Sequence, residues 1–307
     1  MNNGKEPIFI SAVIYVRNNA ATIGSFLQHV YGQLEKQFAQ FEIICVDDAS
    51  TDLSEQKIRE VSKDFTCPVT IVNMGFVQGV ELAMNAGSDI AIGDFVYEFD
   101  YAQQTWPDDM MEQLYRKMQE GFDIISACPN GKTKLSSRMF YSIFNHFSNI
   151  KAKIRTEAFR LISRRAINRA TAMNHATMYR KAVFANSGLA STYLTFDPQK
   201  AAADRGSGKE RRTLAMDSLI LFTDIGFKIA LVLSIIMLCF AAVVGIYTVV
   251  IYATGHPVEG WTPIMIFLAI GFFALFAILT FVLKYLSLIL NLNFRRQRYV
   301  VGNVEKL

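Results

Sequence analysis

The segment from Glu42 to Asp52, EIICVDDASTD, constrains the fold most, because an apolar run ends abruptly at two adjacent carboxylates. Glu42 to Val46 has the composition of a buried strand, so Asp47 and Asp48 fall at its carboxyl end. Open α/β sheets bind their ligands at the carboxyl ends of their strands. The sequence therefore predicts a crevice edged by carboxylates, which accept hydrogen bonds from a base or a ribose, or hold a divalent cation against phosphate groups.

Helix capping is the plainer role for the polar residues of this segment. Ser50, Thr51 or Asp52 could each cap the helix predicted to follow, because side-chain oxygens of these types bind the free N–H groups of a first helical turn. Capping is the less favoured role for Asp47 and Asp48, since two adjacent carboxylates are a costly like-charge arrangement without a ligand. Both roles stay open for Ser50 and Asp52.

Strand-like and helix-like patterns alternate along most of the chain. Apolar residues at helical spacing predict helices, and short β-branched runs predict strands. Their alternation is typical of an α/β fold with a mostly parallel, doubly wound sheet. The predicted strands are 8–16, 42–46, 69–73, 94–99, 123–128 and 193–196, and the predicted helices are 23–38, 53–65, 78–91, 107–120 and 135–149.

Two charge-free apolar runs near the C-terminal end, 229–254 and 261–283, predict transmembrane helices. Each exceeds the roughly 20 apolar residues that cross a bilayer. The run 214–227 mixes apolar and charged residues and predicts an amphipathic helix at the membrane interface. Cations flank the two spans on their outer sides, whereas the stretch between the spans has none, so the positive-inside rule places both ends in the cytoplasm. These cations are Lys209, Arg211, Arg212, Arg295, Arg296 and Arg298.

These patterns divide the chain into three predicted parts. They are a cytosolic domain at 1–200, a linker with the interfacial helix at 201–228, and two spans with a cytoplasmic tail at 229–307. The apolar content of 51% exceeds that of a purely soluble protein, and the excess lies at the C-terminal end. We therefore expect an integral membrane protein of a bacterial inner membrane or a plasma membrane, with its soluble domain in the cytoplasm.

The net charge of +4 conceals a basic stretch at 129–170, which holds ten Lys or Arg and one acid. Such a stretch favours phosphate groups or an anionic membrane surface. It carries no recognisable nucleic-acid-binding motif, so nucleic acid is not a predicted partner. The four cysteines are widely spaced without a C-x-x-C, which indicates reduced thiols, and the four histidines lack the spacing of zinc ligands.

Several motifs together suggest a family. The chain has VDDASTD at 46–52, EAFRL at 157–161 and GSGK at 206–209. These resemble the VDDGSTD, GDFRL and G-x-S-K motifs of the family 2, GT-A-type polyprenyl-phosphate glycosyltransferases, which include dolichyl-phosphate mannose synthase and bacterial undecaprenyl-phosphate glucosyltransferases. The likeness covers nearly the whole length. The family's N-x-G and A-x-GD motifs also appear, at 73–75 and 91–94, and its D-x-D-L-Q-x-P-P motif is matched only in part, at 100–107.

The resemblance implies a Rossmann-like GT-A domain that transfers a sugar from a nucleotide sugar to a polyprenyl phosphate and releases a nucleoside diphosphate. It also implies a membrane-bound homo-oligomer, such as a tetramer, and Mg²⁺ or Mn²⁺ as the cofactor, held by Asp100. The implied nucleotide-sugar contacts are Asp47, Asp48, Asp52, Asp100 and Gln104. The implied catalytic residues are Asp100, Arg160 and Glu157, and the implied phosphate or lipid contacts are Arg138, Arg160 and Lys209.

Two departures from the family bear on the mechanism. Ala102 replaces the second acid of D-x-D, and Ala158 replaces the acid of GDFRL. An active enzyme could still hold Mg²⁺ weakly through Asp100, because this ion needs only one or two carboxylates beside phosphate oxygens and water. The alternative is a catalytically degenerate relative that acts as a membrane-anchored binding or scaffolding subunit. A channel or transporter is disfavoured, since two spans enclose no pathway unless several chains assemble.

Overall fold

The computed structural model describes residues 4–130, 155–173, 180–199 and 299–307, together with single helical positions between 232 and 289. The chain divides into two compact units. The larger unit contains the described residues up to 199 and those from 299 onward, and the smaller unit contains the single positions.

The described residues of the larger unit form eight strands and six helices. The strands are β1 (Glu6–Val16), β2 (Phe38–Asp47), β3 (Val69–Met74), β4 (Phe95–Phe99), β5 (Ile124–Pro129), β6 (Phe159–Ser163), β7 (Ser191–Phe196) and β8 (Val301–Lys306). The helices are α1 (Ile23–Gln37), α2 (Ser54–Ser62), α3 (Val80–Ile90), α4 (Met110–Gln119), α5 (Arg164–Ala172) and α6 (Arg180–Asn186).

All eight strands belong to one sheet, in the order β7-β5-β6-β4-β1-β2-β3-β8. β1 runs parallel to β2 and β4, β2 runs parallel to β3, and β5 runs parallel to β7. Helices connect the parallel strands, as parallel pairs require a crossover. The predicted α/β fold with a mostly parallel sheet is therefore confirmed.

Two strands, β6 and β8, do not follow from the sequence patterns. β6 lies between β4 and β5, antiparallel to both, and its five residues FRLIS carry Arg160 inside a short apolar run. β8 pairs antiparallel with β3 at the edge of the sheet. The sequence assigns this terminal segment to the tail of the membrane part, whereas the structure includes it in the larger unit.

Apolar side chains pack on both faces of the sheet. On one face, α1, α2 and α4 cover a cluster that contains Ile14, Phe99 and Trp106. On the other face, α3, α5 and α6 cover a cluster that contains Val13 and Val96. The buried positions of α1 recur at helical spacing and explain why this segment forms an amphipathic helix. They are Ile23, Phe26, Leu27, Val30 and Leu34.

A glycine in α3 allows this helix to lie close to the sheet. A Cβ atom at Gly87 would come within 2.7 Å of Val46 Cγ2 and still closer to Val13 Cγ1. The missing side chain therefore sets how deeply α3 packs on β1 and β2. This packing also places the amino end of α3, which begins after Gly79, beside the carboxyl ends of those strands.

The smaller unit is described only at single positions, all of them helical. Within it, the rings of Phe240 and Phe267 stack with centroids 5.9 Å apart. In the part of the chain that the structure describes, no helix is both long and apolar enough to cross a membrane. The predicted interfacial helix at 214–227 lies wholly outside the described residues, and the predicted spans at 229–254 and 261–283 lie mostly outside them.

Candidate active site

Carboxylates follow two of the parallel strands at one edge of the sheet. Asp47 is the last residue of β2, Asp48 is the next residue, and Asp100 follows the end of β4. β2 and β4 both pair in parallel with β1 between them. Because parallel strands share one carboxyl edge, these three acids lie at the edge where such sheets bind ligands.

Asp48 organises the wall of this crevice. Its carboxylate is completely buried and accepts hydrogen bonds from the backbone N–H of Gln78 at 2.7 Å, the N–H of Gly79 at 2.9 Å and the Tyr15 hydroxyl at 2.9 Å. Burial and the neighbouring Asp48 raise the pKa of Tyr15, so its hydroxyl stays a donor. Arg17 donates to the Asp48 carbonyl at 2.9 Å. Both carboxylate oxygens of Asp48 therefore serve to join β1, β2 and α3, and its predicted contact with a nucleotide stays a prediction.

Asp47 differs from Asp48 because only one of its two carboxylate oxygens accepts a hydrogen bond from the described residues. Oδ2 accepts a hydrogen bond from the Ser50 N–H at 3.0 Å, whereas the buried Oδ1 has no hydrogen-bond partner among the described residues. Asn73, which lies opposite on β3, has a buried Oδ1 in the same condition. Burial raises the pKa of Asp47, and the nearby charges of Glu55 and Asp48 add to this effect. An unsatisfied buried acceptor costs about 1–3 kcal/mol, and a ligand that donates a hydrogen bond to Asp47 Oδ1 would recover this free energy.

Asp52 fastens the loops beside the crevice. Its Oδ2 accepts a hydrogen bond from the Ala20 N–H at 2.9 Å, and its Oδ1 accepts one from the Ser54 N–H at 2.9 Å. Burial alone would raise the pKa of Asp52, but the hydrogen bonds from Ser54 and Ala20 lower it. Ser50 accepts a hydrogen bond from the Asn18 N–H at 3.0 Å. Asp52 thus ties the start of α2 to the loop after β1, and its predicted contact with a nucleotide stays a prediction.

Asp100 and Arg160 form an ion pair at the end of β4. Arg160 Nη2 donates to Asp100 Oδ1 at 3.1 Å and to Oδ2 at 2.8 Å. The side chain of Arg160 is 3% exposed, and that of Asp100 is 17% exposed. Burial would raise the pKa of Asp100, but Arg160, Lys181 and Arg180 lower it, so the acid stays ionised. Two of the three predicted catalytic residues are therefore in direct contact.

Glu157, the third predicted catalytic residue, lies near Nε of the same guanidinium. Its Oε2 is 3.4 Å from Arg160 Nε and 3.9 Å from Lys181 Nζ. Burial would lower the pKa of Arg160, but Asp100, Glu157 and Glu98 raise it, so Arg160 keeps its charge. Arg160 thus connects the acid at the crevice with a second acid beyond it.

Glu98 and Arg180 belong to this group, although the sequence analysis does not single them out. Glu98 is completely buried, and its Oε1 accepts hydrogen bonds from Arg180 Nη2 and from the Ser88 hydroxyl. Its Oε2 is 3.6 Å from Arg160 Nε. An acid inside the apolar strand FVYEF is the signal that could have indicated it, because a buried carboxylate requires a cationic partner.

Three predicted site residues remain, namely Gln104, Arg138 and Lys209. Gln104 donates to the Trp106 carbonyl at 3.2 Å and to Asp108 Oδ1 at 2.8 Å, so its amide contacts its own loop. Arg138 and Lys209 lie outside the described residues. The proposed contacts of all three with a ligand stay predictions.

A comparison with protein families decides the class of this protein. The family model described as glycosyl transferase family 2 matches residues 11–188. The chain belongs to glycosyl transferase family 2. The predicted family and the predicted enzyme class, a glycosyltransferase, are both confirmed.

Proteins named as glycosyltransferases align with most of the chain. A prophage bactoprenol glucosyl transferase homolog of Escherichia coli is 24% identical over 84% of this chain and 86% of its own length. An uncharacterized glycosyltransferase of a Synechocystis species is 26% identical over 78% of this chain and 79% of its own length.

Two solved structures share the fold at low sequence identity. A mannosyltransferase from Pyrobaculum calidifontis, in complex with GDP-Man and Mn²⁺, has a TM-score of 0.51 at 16% identity and covers 70% of this chain. This chain spans 63% of that mannosyltransferase. A mannosyl-3-phosphoglycerate synthase from Rubrobacter xylanophilus has a TM-score of 0.50 at 15% identity, over 69% of this chain and 72% of its own length. These likenesses support the GT-A type of fold.

The two alanines that replace family acids are buried in the apolar core of this glycosyltransferase. Ala102 is 2% exposed and Ala158 is 6% exposed. Both pack in the cluster that contains Phe99 and Trp106. An acid at either position would therefore be buried in apolar surroundings, unless the local backbone changed.

This arrangement restricts how a divalent cation could bind. The described residues contain no group of three or more His, Cys, Asp or Glu side chains that could hold a metal ion. Asp100 is available, but its charge is already paired with Arg160. It fits Mg²⁺ or Mn²⁺ only as a single protein ligand, with the other ligands supplied by substrate phosphates and water.

Proposed function

We propose that this glycosyltransferase transfers a sugar from a nucleotide sugar to a polyprenyl phosphate at the cytoplasmic face of a membrane. The observation that carries the proposal is the placement of Asp100, paired with Arg160, at the sheet edge where Asp47 has an unsatisfied oxygen. Relatives named bactoprenol glucosyl transferase, which align over 84% of this chain, support the choice of a lipid acceptor.

The donor would bind at the carboxyl ends of β2 and β4. Asp47 Oδ1 would accept a hydrogen bond from the nucleoside, which satisfies its buried acceptor. Asp100 would contact the ribose, or a divalent cation that arrives with the diphosphate. Such a cation would supply charge neutralisation for the leaving nucleoside diphosphate. The positive charge of Arg160 lies within hydrogen-bond distance of Asp100 and adds to this stabilisation.

The acceptor supplies its own nucleophile. A phosphate monoester has a second pKa near 6, so it is largely ionised at neutral pH and needs little help from a general base. One of its oxygens attacks the anomeric carbon, a new C–O bond forms, and the nucleoside diphosphate leaves with the electron pair of the broken C–O bond. The replacement of the family's acid by Ala158 would then affect the orientation of the acceptor more than proton transfer.

The membrane placement rests on the sequence. The apolar runs at 229–254 and 261–283, with cations on their outer sides, support an integral membrane protein whose two ends are cytoplasmic. An acceptor with a polyprenyl tail requires such proximity to a bilayer. A homo-oligomer assembled through this region, such as a tetramer, belongs to the same proposal.

The test is a transfer assay with membranes that contain the full chain. Radiolabelled nucleotide sugars of different bases and sugars are added singly, with and without Mg²⁺ or Mn²⁺, and label is measured in the organic extract. We expect one donor to give a labelled lipid, and we expect Asp100→Asn to lower its formation roughly 100-fold. Absence of labelled lipid with every donor would contradict the proposal.

Ala102 and Ala158 favour one second candidate, a degenerate relative that binds nucleotides without transfer. It predicts that the purified protein binds a nucleoside diphosphate while no donor is consumed. Consumption of a donor in an acceptor-dependent manner would exclude it.

A further inference from the structure

A cleft of about 310 Å³ opens beside the Asp100–Arg160 pair, between α6 and the strands β5 and β7. The proposed function uses the crevice at the ends of β2 and β4 and does not itself use this cleft. Its charged and aromatic lining consists of Arg155, Glu157, Arg160, Lys181, Phe184 and Tyr193.

The lining is predominantly cationic. Arg155, Arg160 and Lys181 are the basic side chains that line the cleft, and Glu157 is the acidic one. Arg160 is also paired with Asp100, outside the lining. The carboxylate of Glu157 lies between Arg160 and Lys181 and offsets part of their charge. Because three cations face one acid, the cleft still favours an anion.

Arg160 provides an independent sign that a ligand belongs here. Its side chain is 3% exposed, yet Nε and Nη1 have no hydrogen-bond partner within the described part of the chain. Nη2 donates to Asp100, and Nε lies 3.4 Å from Glu157 and 3.6 Å from Glu98, so Nη1 is the nitrogen without an acidic neighbour among these contacts. A buried guanidinium normally has its N–H groups satisfied, because an unpaired charged donor is costly to bury. Phosphate oxygens are the acceptors that a guanidinium binds best.

Two further cations lie where they can complete such a site. The guanidinium of Arg155 lies over the ring of Tyr193, with its carbon 4.2 Å from the ring centroid, and this contact restricts its orientation. The side chain of Lys181 is 12% exposed and lies 3.9 Å from Glu157. A flexible lysine acts on a phosphate as a compact point charge, whereas the planar arginine binds it through directed hydrogen bonds.

We propose that this cleft binds the phosphate group of the acceptor, through Lys181 and Arg155, with Arg160 between this phosphate and the donor. The inference rests on the proposed function, because it assigns the acceptor's place in the same active site. Arg160 contacts Asp100 on the donor side and lines the cleft on the other. One guanidinium thus separates the two phosphate-bearing substrates, so the attacking oxygen lies next to the crevice that holds the sugar. The class of ligand is a phosphate monoester, whose negative charge complements the basic lining of the cleft.

The test compares the kinetics of the full-length Lys181→Met and Arg155→Gln variants with those of the wild-type protein, all in detergent and lipid. Polyprenyl phosphate is varied at saturating donor, and donor is varied at saturating acceptor. We expect each substitution to raise the KM for polyprenyl phosphate about 10-fold or more, as for a lost charge-assisted hydrogen bond, with little change in the KM for the donor. Lys117→Met is the matched control, because Lys117 also lies beside a glutamate, Glu120, but on α4.

Inorganic phosphate serves as a second probe. We expect it to inhibit the wild-type protein in competition with the acceptor and to inhibit Lys181→Met more weakly. A wild-type enzyme that transfers sugar, with variants that leave the KM for the acceptor unchanged or with phosphate that competes only against the donor, would overturn this inference alone. Absence of transfer by the wild-type protein would overturn the proposed function and this inference with it.

Discussion

Glu98 and Arg160 lie directly opposite each other on β4 and β6, and Glu98 is completely buried. Arg180 Nη2 donates to Glu98 from the other side, so two guanidinium groups share this carboxylate. Glu98 therefore balances the charges of Arg160 and Arg180 inside the larger unit and also holds Arg160 in place beside Asp100. This relationship leads to the first prediction.

Glu98→Gln should destabilise the protein by about 3–5 kcal/mol, because it leaves two buried guanidinium groups without their shared counter-charge. Denaturant unfolding measures the change. Glu112→Gln is the control, since Glu112 pairs with the exposed Arg116 on α4 and should cost about 1 kcal/mol or less. Equal stability of the wild-type protein and Glu98→Gln would show that the buried carboxylate is not needed to balance these arginines.

Asp47→Asn should stabilise the protein at neutral pH while it weakens donor binding. Burial raises the pKa of Asp47 above its ordinary value of 3.8, so the folded state holds this proton more tightly than the unfolded chain does. As the pH rises from 3.8 through the raised pKa, the folded state loses relative stability, and the ionised group is a cost at pH 7. The substitution removes that cost.

Thermal unfolding at pH 7 and near pH 4, together with the KM for the donor, tests this prediction. The gain in Tm should be present at pH 7 and should shrink near pH 4. Asp64→Asn, at an exposed position, provides the control. A lower Tm at pH 7, or an unchanged KM for the donor, would refute the assigned role of Asp47.

Ala102→Asp should unfold or strongly destabilise the protein rather than create a metal site. Ala102 is 2% exposed and packs among apolar residues, so a carboxylate there would cost about 3 kcal/mol or more. Ala190→Asp, at an exposed position before β7, should change stability little. Unfolding curves and metal-dependent transfer are both measured. A stable Ala102→Asp protein with new Mn²⁺-dependent activity would contradict the packing described for this position.

Gly87→Ala and Gly32→Ala should have opposite effects, although both glycines lie in helices. A Cβ atom at Gly87 would overlap Val13 and Val46, and such overpacking typically costs about 1–3 kcal/mol. A Cβ atom at Gly32 in α1 meets nothing within 4 Å, so alanine should stabilise that helix by up to about 1 kcal/mol. Denaturant unfolding of the two variants distinguishes the effects. Destabilisation by Gly32→Ala comparable to that by Gly87→Ala would refute the close approach of α3.

The sequence predicts the parallel strands well because a buried parallel strand is a continuous apolar run. β1, β2, β3 and β4 are largely apolar and each overlaps a predicted strand, although Glu98 lies inside β4 and β2 begins at Phe38, four residues before its predicted start. β6 does not, since Arg160 interrupts its short run, and only the pairing with β4 and β5 explains why it is a strand. β8 is equally dependent on a distant partner, because β3 lies more than 200 residues earlier in the chain.

Residue patterns alone predict the candidate site only where function coincides with a strand end, whereas Glu157 and Arg160 are predicted through the family resemblance. Asp47, Asp48 and Asp100 follow from that rule. Their different roles do not, because Asp48 is satisfied by the backbone of residues 78 and 79, which only the folded chain brings near. Glu98 and Arg180 are 82 positions apart, so no local pattern indicates their contact.

The most direct measurement is the rate of nucleoside diphosphate release by the purified full chain, with and without polyprenyl phosphate. We expect release to require the lipid phosphate and to match the formation of glycosylated lipid one for one. Release at the same rate without the lipid, or no release with any donor in its presence, would contradict sugar transfer to a polyprenyl phosphate.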